Sequence, residues 1–187
     1  MKRRELLGAA LLLPLEALAQ ACGPLTPRQT EGPFFKTDTP RRTSLVEPGY
    51  RGAPLVVTGV VLSRDCKPVA NALLEFWHAD DEGEYDNRGY RFRGHQFTDA
   101  EGRYRLETIL PAEYPGRTRH IHFQITIPGG QRLVTQLYVQ GDPLNANDGV
   151  LNGIRDVAAR NSYNWVTSLC LGNCRRVCRS GSGCGYR

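Results

Sequence analysis

Apolar and polar residues alternate along His120-Ile121-His122-Phe123-Gln124-Ile125-Thr126-Ile127. A period of two is that of a β-strand with two unlike faces. The pattern puts Ile121, Phe123, Ile125 and Ile127 on a core face and His120, His122, Gln124 and Thr126 on the other. Further strands are predicted over 55–62, 72–78, 95–98, 102–108 and 132–139, with the histidine strand at 120–127. Turn residues punctuate them at Ser63-Arg64-Asp65, Asp99-Ala100-Glu101-Gly102 and Pro128-Gly129-Gly130. Short strands at this spacing, with no long helix between them, indicate an all-β fold, an antiparallel β-sandwich of immunoglobulin- or transthyretin-like kind. No period persists over the Pro-, Thr- and Gly-rich stretch 22–53, which is expected to lie on the domain as an extended arm. Residues 141–148 read as loop, and a short helix is expected over 150–160.

At 187 residues the chain suits one domain. Its net charge of +5 would point to an anionic partner, but residues 20–169 hold 17 Lys/Arg against 17 Asp/Glu. The excess sits in Lys2, Arg3 and Arg4 at one end and Arg175, Arg176, Arg179 and Arg187 at the other. A neutral central domain offers no basic face, so nucleic acid is not an expected partner. The Lys-Arg-Arg head, the apolar run to Leu15 and the small residues Ala17, Ala19 and Ala21 read as a signal peptide over 1–21. The apolar run is too short for a transmembrane segment, which needs about 20 apolar residues. The protein is therefore expected to be exported. Arg3-Arg4 fits a twin-arginine signal or an ordinary one equally well, and a lipoprotein anchored at Cys22 is the less favoured reading because Ala19 suits that cleavage poorly.

The remaining cysteines are Cys22, Cys66, Cys170, Cys174, Cys178 and Cys184. An even number in an exported chain favours disulfides over metal thiolates. Cys22 with Cys66 would tie the arm to the first turn. The domain is taken as 22–165 and the Cys/Arg-rich stretch 166–187 as a tail that is mobile or knotted by disulfides.

The histidine strand carries the candidate chemistry. Its two imidazoles are about 7 Å apart at Cα, at roughly 3.3 Å per residue, and could lean onto one ion. Two histidines alone would accept zinc, copper or iron, so other ligands must decide. Tyr114 lies six positions before His120, and Tyr85 follows the acidic run Asp80-Asp81-Glu82. A phenol of pKa near 10 ligates only an ion acidic enough to displace its proton, such as ferric iron. Tyr104 and Tyr138, inside predicted strands, read as core aromatics. His78 reads as structural or surface, His95 has no evident partner, and Asp80-Asp81-Glu82 reads as a solvated loop.

The runs Gln29-Thr30-Glu31-Gly32-Pro33-Phe34-Phe35, Glu75-Phe76-Trp77, Thr98-Asp99-Ala100-Glu101-Gly102-Arg103-Tyr104, Tyr114-Pro115-Gly116-Arg117-Thr118-Arg119-His120-Ile121-His122 and Gly141-Asp142-Pro143-Leu144 resemble the intradiol ring-cleavage dioxygenases. These are the protocatechuate and catechol dioxygenases, and the likeness is to their small exported members. The resemblance implies Fe(III) held by Tyr85, Tyr114, His120 and His122. It implies catalytic roles for Arg117, which stabilises charge on substrate, for Tyr85, which leaves and accepts a proton, and for Gln136 behind the ligands. Gly32 and Pro33, with Arg117, would border the substrate. The implied reaction cleaves a small catecholic aromatic between its two hydroxylated carbons with O2, giving a cis,cis-muconate-type product. Which catechol is left open, as is homo-oligomerisation. The rival readings are a non-catalytic transthyretin-like or carbohydrate-binding sandwich and a zinc hydrolase.

Overall fold

The computed structural model describes residues 25–162 together with two tail strands. In chain order the strands are β1 (Pro54–Val60), β2 (Leu73–Trp77), β3 (Arg93–Phe97), β4 (Arg103–Ile109), β5 (His120–Thr126) and β6 (Arg132–Tyr138). Strands β1 and β4 pair as one sheet, and the other four form a second in the order β3-β2-β5-β6. Every pairing is antiparallel.

The core lies between the sheets. Leu55 and Val57 of β1 and Leu106 and Ile109 of β4 cluster with Leu74 and Phe76 of β2 and Ile121 and Phe123 of β5. In β1, β2 and β5 these are alternate residues, so the two-residue period places one face of each of those strands in the interior, while in β4 Leu106 is joined by Ile109 at the strand's end. Each such side chain contributes about 1.5–3 kcal/mol of burial. The sandwich expected from the pattern is the fold observed.

The arm does more than lie on the surface. Arg42 N donates to His95 O at 2.9 Å, Leu45 N to Glu107 O at 2.7 Å and Gln29 N to Val134 O at 2.9 Å, so it runs along edges of both sheets. Strand β3 begins at Arg93 instead of His95. Gly94 explains this: a Cβ there would lie 2.9 Å from Arg42 Cγ and from Leu45 Cδ2, so glycine admits the arm onto a stretch with no apolar alternation. Arg42 Nε then donates to Arg93 O at 2.9 Å.

The helix expected over 150–160 is instead two short pieces, α1 (Gly149–Asn152) and α2 (Val157–Ser162), preceded by a 3-10 turn over Pro143–Asn147. Gly153 ends α1, and Asp156 Oδ1 accepts from Ala159 N at 3.0 Å within the first turn of α2. Each piece has its own cap, which breaks the period. In the tail, β7 (Arg176–Arg179) pairs antiparallel with β8 (Ser182–Tyr186). Cys66 is disulfide-bonded, but its expected pairing with Cys22 lies outside the described residues, as does the signal peptide. Among the described residues no helix is long and apolar enough to cross a membrane.

Candidate metal centre

Strand register decides what surrounds the histidines. Trp77 pairs with Arg93 on one side and His122 on the other, and His122 pairs with Gln136. The result is a row Arg93, Trp77, His122, Gln136 across all four strands, on the face turned away from the core. Trp77 and His122 stack with centroids 4.7 Å apart and planes 8° apart. The face is covered, not solvated: His120 is 3% exposed and His122 1%. His120 Nδ1 bonds Thr118 O at 2.7 Å. A carbonyl only accepts, so Nδ1 carries the proton and Nε2 keeps its lone pair for a metal.

Both tyrosines reach this point from loops. The acidic run before Tyr85 is a loop, with Glu82 exposed and Asp81 half-buried, but Asp80 is buried, and its Oδ1 accepts from Glu82 N at 3.0 Å and Glu84 N at 2.9 Å. This side-chain turn folds the segment back and drives Tyr85 inward, where it stacks on Phe34 at 4.2 Å and 13°. Tyr85 Oη lies 3.4 Å from His120 Nε2. Tyr114 enters from a turn closed by Arg117 N donating to Tyr114 O at 2.9 Å. Its ring centroid is 5.6 Å from His120 and 5.8 Å from Tyr85.

Burial keeps both imidazoles neutral. It pulls the pKa of His120 down to about 4 and that of His122 well below the ordinary value, with the Arg117 cation acting the same way on both. Desolvation, and then Tyr114, raise the pKa of Tyr85, so without a metal its phenol stays protonated.

Arg117 is fixed from two sides. Nε donates to Asp148 Oδ2 at 2.9 Å, Nη2 donates to Gln136 Oε1, and Nη1 faces Tyr114 Oη at 3.4 Å. Gln136 Nε2 in turn donates to Thr30 O at 2.9 Å, and Tyr138 Oη donates to Gln136 Oε1 at 3.0 Å. Two residues on, Gly32 has φ +70, and a Cβ on it would lie 3.6 Å from His122 Cε1. Gly32 therefore borders the imidazole, while Pro33 beside it is exposed.

Among the described residues no group of three or more His, Cys, Asp or Glu is gathered. The further donors that the described residues gather beside the two imidazoles are the phenols, which would suit a hard trivalent cation better than zinc, whose sites use thiolate, imidazole or carboxylate ligands. Tyr85, Tyr114, His120 and His122 fit ferric iron.

The model of a family described as Dioxygenase matches residues 30–162. The chain belongs to the intradiol ring-cleavage dioxygenases. The protocatechuate 3,4-dioxygenase beta chain of Burkholderia cepacia is 37% identical over 166 residues, covering 79% of this chain and 70% of its own. The hydroxyquinol 1,2-dioxygenase of Nocardioides simplex is 34% identical over 161 residues, 73% of this chain and 55% of its own, so the chain spans little more than half the length of that relative. Among solved structures, the dioxygenase domain of a dioxygenase carbohydrate-binding protein fusion from the cellulolytic bacterium Streptomyces sp. SirexAA-E is similar. It is 44% identical with a TM-score of 0.65, over 86% of this chain and 93% of that one.

Of the residues expected at a dioxygenase site, Tyr85, Tyr114, Arg117, His120, His122, Gln136 and Gly32 come together. His78 stands apart, buried with Nε2 bonded to Thr108 Oγ1 at 2.6 Å and Nδ1 to Ala79 O at 2.6 Å. His95 has a partner after all, Thr39 O at 2.8 Å from Nδ1. Asp148, Phe34 and Tyr138 are the residues that sequence reasoning missed as part of the site. Asp148 was hidden in a stretch read as loop. Its position just ahead of a helical segment was the one local signal.

Proposed function

We propose that the chain is a non-haem Fe(III) dioxygenase. It cleaves the ring of a catechol-type aromatic between the two hydroxylated carbons with O2, giving a cis,cis-muconate-type product. The observation that carries this reading is the approach of Tyr85 Oη to within 3.4 Å of His120 Nε2, with Tyr114 and His122 around the same point. Tyr85, Tyr114, His120 and His122 would hold the iron, which when bound supplies the activation of the aromatic ring and of O2.

The chain's own residues orient substrate and manage charge. Tyr85 Oη, 3.4 Å from His120 Nε2, would be a phenolate while iron is bound and is then placed to take a proton from a catechol hydroxyl as substrate enters. The Arg117 guanidinium stabilises the negative charge of the deprotonated catechol. Gln136 holds that guanidinium in plane, and Gly32, lacking a side chain, leaves room beside His122 for a flat ring. Relatives named for catechol, hydroxyquinol and protocatechuate support the substrate class. The Lys-Arg-Arg head and apolar run support export with loss of 1–21, which the mass of the mature protein would test.

Purified protein is expected to be red-brown from tyrosinate-to-iron charge transfer, to hold iron near one per chain, and to take up O2 with catechol, protocatechuate or hydroxyquinol. A colourless, iron-free protein would overturn the reading and favour the non-catalytic sandwich.

A further inference from the structure

Asp148 gathers four donors onto one carboxylate. Oδ2 accepts from Arg117 Nε and Thr118 N, each at 2.9 Å, and Oδ1 accepts from Val150 N and Leu151 N, each at 2.9 Å. The side chain is 0% exposed. Helix capping alone would account for Oδ1, but a cap needs one oxygen, and serine supplies it about as well. A fully buried carboxylate is costly unless its charge is used. Here the charge is used on Arg117.

We propose that Asp148 is a positioning residue of the dioxygenase site, acting through Arg117 and, by way of Thr118, on His120. The inference rests on the function proposed above. Arg117 is held at Nε by Asp148 and at Nη2 by Gln136, so its plane is set from both ends. Without Asp148 the hold on Nε is lost, leaving Gln136 and the long 3.4 Å contact with Tyr114 Oη, and the cation can swing away from the substrate edge. The same oxygen holds the Thr118 amide, and the Thr118 carbonyl bonds His120 Nδ1 at 2.7 Å. Burial acts to lower the pKa of Arg117, and the bond to Asp148 and the Asp148 charge act the other way.

The separating variant is Asp148→Ser, which keeps a capping oxygen for α1 and removes the partner of Arg117. It is made in the wild-type and Arg117→Met backgrounds and compared with Asp148→Asn. Four quantities are read: iron per chain, the visible band, the anaerobic dissociation constant for catechol, and kcat/KM. Misplacement of this kind costs about 100-fold. D148S is expected to hold iron and colour while kcat/KM falls about 100-fold and catechol binds more weakly, and the loss should shrink to within a few-fold in the R117M background. Three results would overturn the inference: unchanged kinetics in D148S, an equal loss in both backgrounds, or failure of the iron-free D148S protein to fold, which would make the role structural. A wild-type protein without iron would instead refute the dioxygenase reading itself.

Discussion

Tyr85 Oη lies 3.4 Å from His120 Nε2, although 35 positions separate the two residues in the chain. One comes from a loop folded by Asp80 and the other from the central strand β5. Their meeting turns a strand-borne histidine pair into a four-ring cluster able to hold ferric iron.

Removing either phenol should therefore act on the metal. Tyr85→Phe and Tyr114→Phe are expected to fold, and to lower iron affinity by more than the roughly 10–100-fold that follows loss of an outer partner. Each should also weaken the visible band. Iron-to-protein ratios and absorption spectra check this; full iron occupancy with an unchanged band in both variants would remove the tyrosines from the ligand set.

Arg117 separates catalysis from metal binding. Arg117→Met is expected to keep iron and colour while kcat/KM drops by about 100–1000-fold, the scale for removing one group that stabilises developing charge. Arg117→Lys should recover little, because a single ammonium cannot reproduce a fork held by Asp148 and Gln136 together. Steady-state O2 uptake is the measurement.

The iron-free protein should weaken in mild acid. Burial holds His78 and His120 near pKa 4 in the fold, against about 6.5 in the unfolded chain. The unfolded state thus binds more protons between these values. The stabilisation is complete above pH 6.5 and lost as pH falls toward 4, by roughly 1.4 kcal/mol per pH unit for each histidine. Thermal unfolding of apoprotein across pH 4–7 tests it, and a flat melting temperature would contradict it.

Gly32→Ala puts a methyl group 3.6 Å from His122 Cε1 at a φ of +70. The backbone penalty is about 1 kcal/mol. Substrate affinity should also fall, since the methyl group occupies the edge of the imidazole that a flat ring would approach. Denaturant unfolding and the anaerobic catechol titration report the two effects separately, and a stability loss with no change in catechol affinity would remove Gly32 from the pocket wall.

Much of this site could be read along the chain because its donors are arranged locally. His120 and His122 share a face by the two-residue period of a strand, and Arg117 sits in the turn just before them. The edges of β3 and the break at Gly153 could not be read in this way: one depends on an arm packing over Gly94, the other on two competing caps.

The sandwich, the histidine pair and a family likeness that pointed to Tyr85 and Tyr114 follow from the order of residues along the chain. The row Arg93, Trp77, His122, Gln136, the stacking of Phe34 on Tyr85 and the hold of Asp148 on Arg117 arise from folding. Periodicity is a property of neighbouring residues and survives in one dimension. Register between strands and the seating of loops follow from burying distant side chains together, so the groups that orient the site become visible only once the chain has folded.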